Sequence, residues 1–280
     1  MKKGIAVMEK KRILYVSHQI NPYFTGSTIA EVSRKLPQYM NENGKEVRIF
    51  TPRFGCVNER RHQLHEVIRL SGMNLIINDM DQPLIIKVAS IPQARMQVYF
   101  IDNEEYFKRK FVFADGKNKF YKDNDERALF FCRGVLETVK KLGWAPDVIH
   151  CHGWMASFLP LYLKHFYADD PIFANSKVVL SVYDDAFDGV LNAKMADKMK
   201  MDGIPEEEAA LFAKPSHNTI IQNGVNYADA VMQGSEELPQ ETIDLLSGHS
   251  NSIIGYKEGT ELAEACNAVY EELIEETTVA

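Results

Sequence analysis

Residues 144–164 read WAPDVIHCHGWMASFLPLYLK. Asp147 to Cys151 is a short β-branched run, and Trp154 to Phe166 carries apolar residues at helical spacing. Between them stands a polar turn of His, Cys, His, Gly and Trp. A polar turn that follows a buried strand and precedes a helix belongs at the carboxyl end of a parallel strand, where open α/β sheets bind ligands. The stretch therefore predicts both a Rossmann-like, mostly parallel α/β sheet and the edge on which a site would lie.

Toward the N-terminus, Arg12 to Ser17 predicts a first strand, and Ser27 to Asn43 a helix with Ile29, Val32, Leu36, Tyr39 and Met40 at its apolar positions. Gly44 caps that helix, and Glu46 to Phe50 supplies a second strand, so residues 12–52 read as a βαβ unit. Strands are predicted near 64–70, 75–77, 84–89 and 97–101, interrupted at Gly72, Pro83 and Pro92. Asp123 and Glu126 have capping-box spacing and open a helix to Leu142 that faces inward with Leu129, Cys132, Leu136 and Val139 and stops at Gly143. Beyond the decisive stretch, Lys177 to Tyr183 and Ala230 to Met232 predict strands and Pro205 to Ala213 a helix. Thr260 to Ile274 predicts a closing helix, with Leu262, Ala265, Val269 and Leu273 in one stripe, packed back on the body. No repeat or linker divides the chain, so residues 1–280 are expected to form a single domain with its core at 11–237.

With 280 residues, 45% of them hydrophobic, the chain can bury a large core. A formal charge of -7 and no basic stripe exclude nucleic acid and anionic membrane as expected partners. No apolar run approaches the roughly 18 residues of a membrane span. Met1 to Lys11 has charges at both ends of a short apolar stretch, unlike a signal peptide, and a cytoplasmic protein is expected. Cys56, Cys132, Cys151 and Cys266 form no CxxC pair and predict reduced, mostly buried thiols. The first strand is not followed by GxGxxG, which argues against a dinucleotide-dependent oxidoreductase, and no cofactor is expected.

With these segments placed, the chain from about Lys11 to Glu237 resembles the N-terminal half of the glycosyltransferase family that includes glycogen and starch synthases. The resemblance is carried by RILYVSHQINPYFTGSTIAEVSRKLPQYMNENGKEVRIFTPRFG from Arg12, QVYFIDNEEYFKR from Gln97, FYKDNDERALFFCRGVLETVKKLGWAPDVIHCHGW from Phe120, KVVLSVYDDAFDGV from Lys177 and NTIIQNGVNYADAV from Asn218. Members of that family hold a sugar nucleotide between two Rossmann-like halves in a GT-B arrangement. The resemblance thus implies one half of a GT-B fold, and a glucosyltransferase moving glucose from ADP-glucose or UDP-glucose to an α-1,4-glucan. It implies equally that this half is inactive or incomplete alone, completed by a separate second-half chain or by a homo-oligomer. The alternative is a non-catalytic relative that binds glucan or a partner chain in glycogen metabolism.

The resemblance also selects residues. Thr25, Gly26, Ser27 and Thr28 lie between the first strand and helix, where small residues let backbone N–H groups approach a diphosphate. The family has a lysine before this loop and two adjacent glycines in it; Phe24 and Ser27 stand here, and Phe24 cannot neutralise a leaving diphosphate. Lys35 is read as too far along the helix to replace the lysine. Glu31 matches an acidic residue of the family, and capping of the first turn explains it equally well. His150 and His152 alternate on a strand and share a face, yet no further ligand stands at zinc spacing and no metal is expected. By resemblance His152 and Trp154 line the sugar cleft, with Gly153 where the family usually has Asp. Tyr183 and Asp184 replace a histidine and an asparagine of the donor cleft, and Asp184, Asp185 and Asp188 read as turn residues. Asp102, Tyr106 and Arg109 match a motif after a central strand, and Asn218 an asparagine at the cleft mouth; solvated or capping roles fit each of them as well.

Overall fold

The structure is a computed structural model that describes residues 10–249 and 252–279; residues 1–9 of the opening segment lie outside it. In chain order the elements are β1 (Arg12–Ser17), α1 (Thr28–Glu42), β2 (Glu46–Pro52), α2 (Glu59–His62), β3 (His65–Glu66), β4 (Met73–Ile77), β5 (Met80–Ile91) and β6 (Met96–Asp102). There follow α3 (Glu104–Phe107), α4 (Asn124–Leu142), β7 (Val148–His152), α5 (Leu159–His165), β8 (Lys177–Val182), α6 (Met195–Met201) and α7 (Glu206–Ala210). The chain then continues through α8 (His217–Asn226), β9 (Ala230–Gln233), α9 (Gln240–Ser247), β10 (Ser252–Ile254) and α10 (Gly259–Val279).

One sheet runs through these elements in the order β10-β9-β8-β7-β1-β2-β6-β5-β3, with β4 paired to β5 off that path. Every pairing from β10 to β6 is parallel, and β5 turns antiparallel to β6. Alternate residues of β1 feed opposite faces, Leu14 and Val16 one and Ile13 and Tyr15 the other. The first face is covered by α4, α5 and α8, the second by α1 and α10. Covered on both sides, β1, β7 and β8 are buried along almost their whole length and mostly apolar, which is why the stretch from Val148 stands out in the sequence as a strand.

Several expectations change in the folded chain. The helix read over Trp154 to Phe166 is split into a 3-10 turn at Trp154–Ala156 and the seven-residue α5. Pro83 lies inside β5 and does not break it; the β5–β6 ladder begins only at Ile85, so at Pro83 the strand pairs with β4 alone and one side has no ladder bond to lose. Asp123 precedes α4 but makes no cap with its side chain, because its carboxylate takes two bonds from Arg109 at 2.7 and 2.6 Å. The apolar stripe of α10 is centred one position on, with Cys266 and Tyr270 buried between Leu262 and Leu273. Pro205 to Ala213 resolves into α7 and a 3-10 turn.

Candidate functional site

The parallel strands β1, β7, β8 and β9 end on one edge, and the residues that leave them meet there. His150 and His152, two apart on β7, do share a face, with rings 4.1 Å apart and stacked. His150 is occupied at both nitrogens: Nδ1 lies 2.5 Å from the Tyr270 hydroxyl and Nε2 2.5 Å from Ser181 Oγ. His152 Nδ1 lies 2.8 Å from the Tyr183 hydroxyl, while its Nε2 has no partner. Tyr270 reaches on to Tyr15 at 3.1 Å, so α10 is bonded to the strands through this buried chain. Burial pushes His150 well below the usual imidazole range and His152 down to about 3, so both rings are neutral acceptors and donors rather than cations.

Where β7 ends, Gly153 takes φ +77, and there is no room for a side chain: a Cβ would meet His18 Cε1 at 2.4 Å and Asp185 Oδ2 at 2.8 Å. Asp185 fills that space. Its Oδ2 accepts the Trp154 N–H at 2.8 Å, and its Oδ1 lies 3.0 Å from His217 Nε2 on the first turn of α8. His18, at the end of β1, is pushed down to about 4 by burial against the pull of Asp185, and its Nδ1 is without a partner. Trp154 itself is 1% exposed, closed over by Phe113 at 5.0 Å and Phe187 at 5.1 Å. Phe113 is held there because Arg127 of α4, fully buried, donates to the carbonyls of Tyr106 and Val112 at 2.7 and 2.6 Å. The indole that the sequence offers for a sugar ring is thus covered, and the half-buried rings above it are Phe113, Phe120 and Phe187.

On the other face of the same edge a cavity of about 920 Å³ opens between α1 and α10. Gly26, Ser27, Thr28, Glu31 and Lys35 form one wall, and Gly234, residues 256–260, Leu262 and Ala263 the other. Ser27 is the N-cap of α1: its Oγ accepts from the Ala30 N–H at 3.1 Å and donates to Gln19. Thr25 precedes Gly26, which turns the chain at φ +85. Lys35, read from sequence as too remote, lies on this wall, but its ammonium is paired with Glu31 at 3.0 Å. Lys257 opposite is paired with Glu261. Phe24 packs edge-on against Phe54 at 5.9 Å.

The remaining predicted residues are not drawn together with these. Asp102 is buried between Arg53 and Lys87, each 3.0 Å away. Tyr106, 1% exposed, donates its hydroxyl to Glu126 at 3.0 Å. Arg109 holds Asp123. Asp184 is exposed, its backbone N–H bonded to Ser235, and Asn218, beside His217 on α8, has a buried Oδ1 with no partner. Sequence reasoning overlooked His18 and His217 as site residues, and left Asp185 among the turn residues. No spacing links them, since Asp185 and His217 meet only through the fold. Among the described residues no group of His, Cys, Asp and Glu could hold a metal, and no helix is long and apolar enough to cross a membrane.

A family model for the starch synthase catalytic domain matches residues 12–252. The glycogen synthase of Chlorobium limicola is 38% identical over 234 residues, which are 83% of this chain and 47% of that protein. The glycogen synthase of Chlorobium luteolum is 38% identical over 229 residues, 80% of this chain and 46% of that one. Among solved structures, the catalytic domain of starch synthase IV from Arabidopsis thaliana, bound to ADP and acarbose, matches with a TM-score of 0.71 over 90% of this chain and 52% of that one, at 15% identity. That likeness and the sheet order identify the fold as Rossmann-like, of the kind found in a GT-B half. The chain spans about half the length of the curated relatives it matches.

Proposed function

The chain belongs to the starch synthase catalytic-domain family, and from that premise we propose that it serves glucosyl transfer from ADP-glucose or UDP-glucose to the end of an α-1,4-glucan. The observation that carries the reading is the family match over 12–252 combined with a cavity at the N-terminus of α1, lined by the loop that the family uses for its donor. Gly26 can approach a diphosphate closely because it has no side chain. The backbone N–H groups of the first turn of α1 then face the negative charge.

In this reading the chain binds and orients. The loop Gly26–Thr28 takes the donor phosphates, and Glu31 keeps Lys35 on the cavity wall. His152 and Tyr183, bonded to each other beneath the edge, set its shape from below. Stabilisation of the leaving diphosphate is the weakest step, since both lysines on the cavity wall are already paired and Phe24 offers no charge. A preorganised cation in a dry site is worth about several kcal/mol of barrier. We propose that it comes from a second lobe facing this edge.

The reading is tested by NMR titration of the chain with ADP-glucose and UDP-glucose. Binding with a dissociation constant in the millimolar range, roughly -4 kcal/mol, and shifts at Gly26, Ser27, Thr28 and Glu31 are expected. Flat spectra at saturating sugar nucleotide would sink it.

A further inference from the structure

We propose that copies of this chain meet head to tail, with the basic segment 108–122 of one seated on the acidic outer face of α10 in the next. The net charge of -7 conceals how unevenly charge is spread. Residues 108–122 hold five lysines and one arginine against Asp115 alone, a concentration that the expectation of no basic stripe passed over. α10 holds six glutamates and no basic residue. The two lie on opposite faces of the sheet: Phe113 and Phe120 of the basic segment pack with the α4 face, whereas Leu262, Cys266 and Tyr270 of α10 fill the other. One copy therefore cannot bring them together, and a neighbour can.

The basic segment is a built hairpin. Ala114 bridges Phe120 antiparallel, the Tyr121 N–H donates to the Phe113 carbonyl at 2.9 Å, and Asp115 Oδ1 accepts the N–H groups of Lys117 and Lys119 at 2.9 Å each. Its stem is pinned to α4 by Asn124, which donates to the Phe113 carbonyl at 2.8 Å. Lys108 and Arg109 are paired with Glu104 and Asp123. Lys110, Lys117, Lys119 and Lys122 are exposed and have no carboxylate in ion-pair reach among the described residues. Phe111 is 45% exposed, with Lys110 Nζ 5.6 Å from its ring centre and its edge against Gly116 at the turn. The tip thus presents an apolar ring flanked by cations.

α10 offers the reverse. Glu264, Ala268, Glu272 and Glu275 are exposed and share one stripe, since residues three and four apart return to the same side of a helix. Glu261, Glu271 and Glu276 are taken by Lys257, Lys45 and Lys177. Glu264, Glu272 and Glu275 have no ion-pair partner among the described residues. Ala268 is a gap one turn from Glu264 and one turn from Glu272, so a ring seated on it lies between two carboxylates. Phe111 fits that gap, with Lys110 and Lys117 toward the glutamates. A long polyanion fits less well, because Asp184 and Asp188 stand exposed beside Phe187, on which Phe120 stacks, and repel it. Exposed ion pairs are worth little each, and one hairpin tip on one helix falls below the roughly 1,200 Å² of a stable interface. The contact is therefore weak and salt-sensitive. Patches that point opposite ways cannot both engage one neighbour, so assembly runs past a dimer.

Sedimentation velocity of the full chain over a concentration series, in about 0.05 M and about 0.5 M salt, tests this. The mean mass should rise with concentration at low salt and return to that of the monomer at high salt. Lys117→Glu with Lys119→Glu reverses the tip, and Glu264→Lys with Glu272→Lys reverses the stripe. All four side chains are exposed, and circular dichroism checks that both proteins fold. Each variant alone should stay monomeric. An equimolar mixture of the two should associate as the unaltered chain does, because every tip then finds a stripe of opposite charge. Ala268→Gln fills the gap without changing charge and should weaken association about tenfold. A chain that stays monomeric at every concentration in low salt, or self-association that survives either reversal, overturns the contact. So does retardation of a single-stranded oligonucleotide through Lys117 and Lys119 by a chain that stays monomeric, which would assign the hairpin to a polyanion. Glucosyl transfer is read in none of these arms, so the synthase reading stands or falls separately.

Discussion

The carboxylate of Asp185 stands over Gly153, so close that a β-carbon at position 153 would lie 2.8 Å from its Oδ2. The synthase family usually carries an aspartate at that turn. Here the acid arrives from the end of β8 and bonds the Trp154 N–H, so the edge keeps a carboxylate while the turn itself becomes a glycine. The exchange also leaves space for His18, whose Cε1 lies 2.4 Å from the same virtual atom.

Gly153→Ala should therefore destabilise the fold. Position 153 combines φ +77 with ψ 170, a region open essentially to glycine alone, and an L-residue there costs about 1–3 kcal/mol. Displacing the His18 ring and Asp185 adds an overpacking cost of about 1–3 kcal/mol. Urea denaturation at neutral pH should show a loss of roughly 3 kcal/mol, and a loss below about 1 kcal/mol would mean that the edge relaxes freely.

Stability should fall in mild acid. Burial holds His18 at about 4 and His152 at about 3, against 6.5 in the unfolded chain. Above pH 6.5 both states are neutral at these rings; below it the unfolded chain binds protons that the folded one refuses until pH 4 or 3, so stability drops with pH. Asp125 works the other way, since burial lifts it to about 6 from 3.8 and its contribution is present in acid and lost as pH rises through 6. His150, pushed well below its usual range by burial, acts in the same direction, so three histidines outweigh one carboxylate and more than about 2 kcal/mol should be lost between pH 6.5 and 4.5. Urea midpoints across that range check it, and His18→Gln should make the slope shallower.

Asp102 and Tyr106 should act on stability rather than on ligand. Removing the carboxylate in Asp102→Ala leaves Arg53 and Lys87 facing each other with only Glu59 nearby, at a cost of about 3–5 kcal/mol. Tyr106→Phe strands a bond to Glu126, worth about 1–3 kcal/mol. Thermal unfolding should register both. A Tyr106→Phe protein with native stability and altered ADP-glucose titration would contradict this assignment.

What could be read from sequence follows the range of the interaction that sets it. β1, β7 and β8 were legible because each is buried on both faces and mostly apolar, whereas β2, half-exposed over residues 46–48, was legible from Gly44 before it and Pro52 at its end. α8 was not, because HNTIIQNGVN carries a glycine and three asparagines; Gly224 is needed where a Cβ would lie 2.9 Å from Leu180 Cδ2 and from the Ser157 carbonyl, a tertiary demand. The Asp123 and Glu126 pair had the right spacing for a cap, and lost it to Arg109, Tyr106 and Lys198 from elsewhere in the fold. In the candidate site, the loop at Gly26 was legible from its composition, whereas the bonding of Asp185 to Trp154 and His217 depends on three elements meeting at one edge.

We propose that the chain unfolds as one domain, with α10 part of it. Tyr270, fully buried, bonds His150 on β7 and Tyr15 on β1, so the closing helix is tied to the centre of the sheet. Calorimetry should give one transition with equal calorimetric and van't Hoff enthalpies. Tyr270→Phe should lower its midpoint, since two buried groups lose their partner at about 1–3 kcal/mol. A separate early transition that responds to Tyr270→Phe alone would show α10 to be an independent unit.

Phe24 is where the chain departs most from the chemistry its family implies. The ring is packed against both faces of the core and edge-on to Phe54 at 5.9 Å, beside a loop otherwise suited to phosphate. Without a cation there, residues 1–280 by themselves should transfer glucose from ADP-glucose to glycogen hardly above background, because each 1.36 kcal/mol of lost transition-state stabilisation is about tenfold in rate. Phe24→Lys should raise ADP affinity about tenfold, since an ammonium would stand next to Gly26 and Ser27 with no carboxylate already paired to it. It should also cost about 2–3 kcal/mol of stability through the lost aromatic packing, visible as a lower urea midpoint. Turnover near one per second by the unaltered chain would sink the first half of this expectation, and ADP binding indifferent to Phe24→Lys would sink the second.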